Sequence, residues 1–138
     1  MTRPFAPALF LAAALLAPAL PAHAAQTPMS AEEFDSFTTG KTLYFYSGGQ
    51  PYGVEEYHDG RRVTWSFLDG ECKEGVWYPQ GEQICFVYED NPVPQCWTFY
   101  KEPGGLRAQF EGRETGTEVY EAGEADEPMM CLGPDVGV

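Results

Sequence analysis

From residue 41 onward, apolar and polar positions alternate with a period of two. They do so in short runs of aromatic and β-branched residues separated by glycine-containing turns, a pattern that predicts antiparallel strands in meander order. The runs cover 41–47, 51–58, 61–68, 73–79, 82–89, 94–101, 106–111 and 116–121. Ahead of them, Ser30-Ala31-Glu32-Glu33 forms a capping box, Met29 and Phe34 occupy the two positions of a hydrophobic staple, and Gly40 is a C-terminal stop. About two turns of helix fit between these signals, enough to lay Phe34 and Phe37 against a sheet. The fold class expected is mainly β: a meander of about eight short strands forming a small barrel or a half-open twisted sheet, with one short N-terminal helix across its mouth. The acidic stretch from Ala122 to Asp126 reads as loop.

Register follows from the turns, because alternation in one strand must meet alternation in its neighbour on the same face. A two-residue turn at Asp59-Gly60 sets Glu56 against Val63, Val54 against Trp65 and Tyr52 against Phe67. A bulge after Asp69-Gly70 places Gly75 under Trp65 and Trp77 against Val63. A turn at Gln80-Gly81 pairs Trp77 with Ile84 and Gly75 with Phe86. The turn from Glu89 to Pro92 pairs Ile84 with Trp97 and, on the opposite face, Cys85 with Cys96. Pro103-Gly104-Gly105 then brings Phe99 to Ala108 and Trp97 to Phe110. One apolar face results, carrying Tyr52, Trp65, Phe67, Trp77, Phe86, Trp97, Phe99 and Phe110, with Tyr44, Tyr46, Tyr57, Tyr78 and Tyr100 alternating onto the other.

The cysteines change the picture next. The chain has 4 of them, all after residue 70, and an even number in an exported domain predicts two disulfides. The Glu89–Pro92 turn sets Cys85 across from Cys96, which leaves Cys72 for Cys131 and pins the returning tail. Cys72 with Cys85 is excluded because the hairpin register separates them by about four residues along the strands, at roughly 3.3 Å each. A zinc site does not fit the spacing: no C-x-x-C pair occurs and His58 lies far from every cysteine.

Export is read from the first residues. Arg3, an apolar run from Ala8 to Leu20 and Ala22-His23-Ala24 have the order of a secretory signal, so residues 1–24 are expected to be removed and 25–138 to form a single disulfide-stapled domain. The run is shorter than the roughly 20 residues needed to span a bilayer and is interrupted by Pro18 and Pro21, so no membrane anchor is expected. The expected location is periplasmic or secreted. With 8 Lys and Arg against 21 Asp and Glu, a formal charge of -13, the surface repels phosphate backbones, which excludes nucleic acid as a partner class.

Among groups that carry chemistry, any Ser-His-Asp or Cys-His arrangement in the domain must use His58, beside the Asp59-Gly60 turn. No nucleophile elbow, zinc helix, phosphate-cradling loop or calcium loop is present, and neither a cofactor nor a metal is expected. Glu55, Glu56, Asp59, Glu71, Glu74, Glu89 and Asp90 are candidate carboxylates for acid–base work. Glu56 stands out, since the register points it inward beside Val63, where it needs a partner such as Arg61 or Arg62. The aromatic content, 14%, is the more informative feature. A barrel lined by Trp65, Trp77, Trp97, Tyr52 and Phe86 is a candidate site for an apolar or aromatic ligand, and an outer tyrosine face for a glycan or a protein.

The segments Tyr52-Gly53-Val54-Glu55-Glu56-Tyr57, Arg61-Arg62-Val63-Thr64-Trp65, Cys72-Lys73-Glu74-Gly75-Val76-Trp77, Ile84-Cys85-Phe86-Val87-Tyr88-Glu89 and Gln95-Cys96-Trp97 resemble those of small exported bacterial proteins of unknown function. The resemblance runs from about Phe34 onward and implies a disulfide-bonded periplasmic domain. Gly75-Val76-Trp77 is also similar to the G-x-W of lipocalins, although there it lies on the first strand. Three functional classes follow. The leading one is a non-enzymatic binding module for a small molecule, glycan or protein. The alternatives are an inhibitor that meets a basic secreted enzyme through a carboxylate-rich loop at Glu89-Asp90 or Glu121 to Glu127, and a small hydrolase using Glu55 and Glu56.

Overall fold

The computed structural model describes residues 26–110, 118–125 and 128–132; the expected signal at 1–24 and the carboxylates at 126–127 lie outside them. Ser30 accepts the Glu33 backbone N–H while the Glu33 carboxylate accepts that of Ser30, and the capped helix α1 spans Ala31–Thr38. Gly40, at φ +80°, turns the chain out of it in the left-handed region that an L side chain avoids. The strands are β1 Thr42–Ser47, β2 Gln50–Tyr57, β3 Arg62–Ser66, β4 Lys73–Gln80, β5 Gln83–Tyr88, β6 Asn91–Glu102, β7 Gly105–Phe110 and β8 Glu118–Glu124.

The eight strands pair antiparallel in sequence order, and β8 returns to β1, so the sheet closes into a barrel. Closure answers the open alternative left by the sequence. It also corrects the tail: Ala122 to Glu124 is strand, not loop, because Ala122 pairs with both Leu106 and Phe45, and Glu124 with Leu43. A strand bonded on both sides leaves no edge to associate with another chain.

Helix α1 plugs one end. Phe34 is fully buried, and its ring lies 4.5 Å from Phe99 and 5.1 Å from Trp77, with Tyr57 and Phe86 around it. Met29, the other half of the staple, is buried and donates its N–H to the Phe99 carbonyl. The plug is thus tied to the wall at its start, and at its finish by Gly40 N–H to the Tyr57 carbonyl.

Both expected disulfides are present, Cys85–Cys96 across the β5–β6 hairpin and Cys72–Cys131 between the start of β4 and the tail. Two bridges in so small a domain mark a protein that folds outside the reducing cytosol. Among the described residues no helix is long and apolar enough to cross a membrane.

Three register expectations need correction. Between β2 and β3 the loop has three residues, Asp59–Arg61, not two, with Gly60 and Arg61 both at positive φ. Tyr57 therefore pairs with Val63 and Glu55 with Trp65. The one-residue slip exchanges the faces of β2: Glu55 and Tyr57 point inward, and Glu56 outward. Gly75 pairs with Val63, and Trp77 with Phe86 in place of Ile84, because residues 67–72 form a wider connection and the next turn sits at Gly81-Glu82. Each of these is an offset of two residues, which keeps the inward face intact. Phe67 lies beyond β3 and is 47% exposed, so it belongs to the rim and not the core.

Candidate functional site

At the end opposite α1 the barrel holds a cavity of about 170 Å³ whose lining includes the exposed Phe67 and Asp90. Phe86, Phe99 and Ala108, all buried, line its deep side, and Trp65, Trp97, Tyr52 and Tyr120 its walls. The rings meet edge to face or tilted, with Tyr52 4.6 Å from Tyr120, Trp97 5.1 Å from Tyr120 and Trp65 5.3 Å from Phe67. Such contacts stabilise the walls beyond what area burial alone provides.

Two inward-facing glycines make room for these rings. A Cβ on Gly53 would collide with the indole of Trp65, and one on Gly75 would stand 2.7 Å from the ring of Tyr88. Tyr52 reaches the interior by a different route from the one expected. Its neighbours Val54 and Glu56 turn outward, but a bulge opposite Phe45 and Tyr46 inserts Tyr52 as an extra residue and re-aims it inward.

Of the five ligand candidates read from the sequence, Trp65, Trp97, Tyr52 and Phe86 line this cavity together. Trp77 does not; its ring packs on Phe34 at the plugged end, beneath the Arg61 guanidinium. Tyr57, expected on the outer tyrosine face, is 1% exposed and internal.

The residue that the sequence reading misplaced is the most consequential. Glu55, at 3% exposure, is a carboxyl in the cavity wall. Oε1 accepts the Tyr88 hydroxyl at 2.7 Å and Oε2 the Tyr57 hydroxyl at 3.0 Å. Among the described residues no cation pairs with it. Burial pushes its pKa from 4.5 up to about 8, against the opposing pull of the two hydroxyl donors, so the group is protonated at neutral pH. Burial also holds the phenols of Tyr57 and Tyr88 protonated well above their ordinary 10, with the Glu55 carboxylate as the next contribution. At the rim, Lys73 pairs with Asp90, whose hydrogen bond raises the ammonium pKa, and each offsets the other's charge.

The other candidates fall elsewhere. Glu55 and Glu56 are adjacent on a strand and face opposite sides, so they share no site. Glu56 lies 3.9 Å from Nδ1 of His58, whose Nε2 is 2.8 Å from the Thr64 hydroxyl. This resembles a nucleophile–base–acid line, but Thr64 donates its only proton to Glu74 at 3.1 Å. With the Thr64 proton directed to Glu74 and not to His58, the arrangement does not favour the imidazole as a base for this hydroxyl. Glu89 accepts the Glu74 backbone N–H, so both carboxylates of the Glu89-Asp90 turn fold back onto β4. Comparisons with protein-family models, with curated proteins and with solved structures return no match, which leaves the chemistry of the cavity as the guide to function.

Proposed function

We propose that the chain is an exported, non-enzymatic binding module that holds a small ligand in the mouth of its barrel. The observation that carries this reading is the cavity itself. A barrel with the aromatic content to fill its interior instead leaves about 170 Å³ open on one side, walled by Trp65, Trp97, Tyr52 and Tyr120. That volume is close to the roughly 150 Å³ that admits a benzene-sized molecule and well below the roughly 300 Å³ at which drug-sized pockets begin. The ligand is therefore of single-ring size. Placement in the periplasm or outside the cell belongs to the same reading, on the strength of the two disulfides and the signal-like order of residues 1–24.

The test has two parts. The protein recovered from an exporting cell should begin at or within a residue or two of Ala25, and its tryptophan emission should respond saturably to single-ring compounds. Ala108→Leu, which adds bulk on the deep side of the cavity, should abolish the response while the variant still melts cooperatively. Emission that no single-ring compound alters, or a response that Ala108→Leu leaves intact, overturns the cavity as a binding site.

A further inference from the structure

We propose that the cavity is selective for a small organic ammonium, held by the Glu55 carboxylate and the ring faces of Tyr52, Trp65 and Trp97; this rests on the ligand-binding reading above. Three observations lead there. First, the ionisable groups lining the cavity are Glu55, Lys73 and Asp90, and the last two offset each other at the rim, so Glu55, once it gives up its proton, supplies the unbalanced charge. Second, each Glu55 oxygen accepts one phenol proton and keeps a lone pair for a further donor. A buried carboxyl with two hydroxyl donors and, among the described residues, no cation needs only a counter-ion to ionise. Third, tryptophan and tyrosine faces attract ammonium groups, and more so where water is excluded. The formal charge of -13 over the whole chain attracts cations to the protein and repels anions.

Proton exchange gives the arrangement a signature. The groups facing Glu55 are the Tyr57 hydroxyl on its own strand and the Tyr88 hydroxyl from β5, with Tyr52, Lys73 and Asp90 further along the cavity. Both phenols stay protonated across the neutral range and the Lys73 ammonium, its pKa raised by the hydrogen bond to Asp90, keeps its proton, so the proton that responds to a cation is the one on Glu55. Below about pH 8 the free site holds that proton. An entering ammonium takes its place, so binding releases a proton and strengthens as pH rises toward 8, then levels off.

Benzylamine and benzyl alcohol are matched probes of single-ring size, and calorimetry in buffers of different ionisation enthalpy counts the protons. Benzylamine should bind about tenfold or more tighter than benzyl alcohol at pH 8. At pH 6.5 it should release close to one proton per molecule bound, and the alcohol none. Glu55→Gln should remove both the preference and the release while still melting cooperatively. If that variant does not fold, the proton count on the wild-type protein decides. Equal affinities for the two probes, or binding of benzylamine without proton release, overturns the ammonium assignment and leaves the ligand cavity standing. Binding of neither probe nor any other single-ring compound overturns both.

Discussion

Exchanging Glu55 for Gln should make the protein more stable at neutral pH, not less. The folded state holds this carboxyl at a pKa of about 8 against 4.5 when exposed. Below pH 4.5 both states carry the proton and the group is indifferent to folding. Between 4.5 and 8 the unfolded chain has released the proton while the folded protein retains it, so stability falls as pH rises. Above 8 both states are ionised and the loss is complete. At 1.36 kcal/mol for each pH unit between the two values, the penalty grows to about 3 kcal/mol at pH 7 and about 5 kcal/mol above pH 8. Gln has the same shape and never ionises, so the difference between variant and wild type isolates this contribution from the self-repulsion of an acidic chain. Urea unfolding of both proteins from pH 4.5 to 9, with the disulfides intact, measures it. The difference should be smallest at the acid end, widen in favour of Glu55→Gln through neutrality, and plateau near pH 8. A difference that stays constant across this range, or widens toward acid, would refute the buried, unpaired state of Glu55.

Trp77→Ala should cost about 3 to 5 kcal/mol by opening the packing around Phe34, whereas Tyr46→Ala, on the exposed face, should cost less than about 1 kcal/mol; chemical denaturation distinguishes them, and equal costs would overturn the assignment of faces. Gly53→Ala drives a methyl group into the Trp65 indole and should lose about 1 to 3 kcal/mol with a shifted tryptophan emission, so an unchanged spectrum and melting temperature would mean that Trp65 does not lie over Gly53. Removing Cys72–Cys131, which joins residues 59 apart, should cost about 4 kcal/mol in the chain-entropy model, against about 3 kcal/mol for Cys85–Cys96 at a separation of 11; non-reducing peptide mapping of the wild type must first recover these two pairs and no peptide joining Cys72 to Cys85.

The amino-acid sequence alone determined whatever depends on neighbours within one strand or one turn of helix. The Ser30–Glu33 box and Gly40 bound α1, period-two alternation placed eight strands to within a few residues, and the Glu89–Pro92 turn put Cys85 across from Cys96. Most of the aromatic inner face was legible too, because an offset of two residues leaves every side chain on its own side of the sheet. Only the tertiary structure decided what turns on odd offsets and on closure. Asp59-Gly60 carries the signal of a two-residue hairpin, yet Arg61 adopts a positive φ and adds a third residue to the loop. That conformation is held by pairing on both sides of the loop, His58 N–H to the Arg62 carbonyl and Tyr57 against Val63, which no local propensity encodes. The single extra residue moved Glu56 out and Glu55 in, and so created the buried carboxyl on which the chemistry of the cavity depends. Which tryptophans share a site is equally non-local: α1 fills one end of a closed barrel and claims Trp77, and the end it leaves open belongs to Trp65 and Trp97.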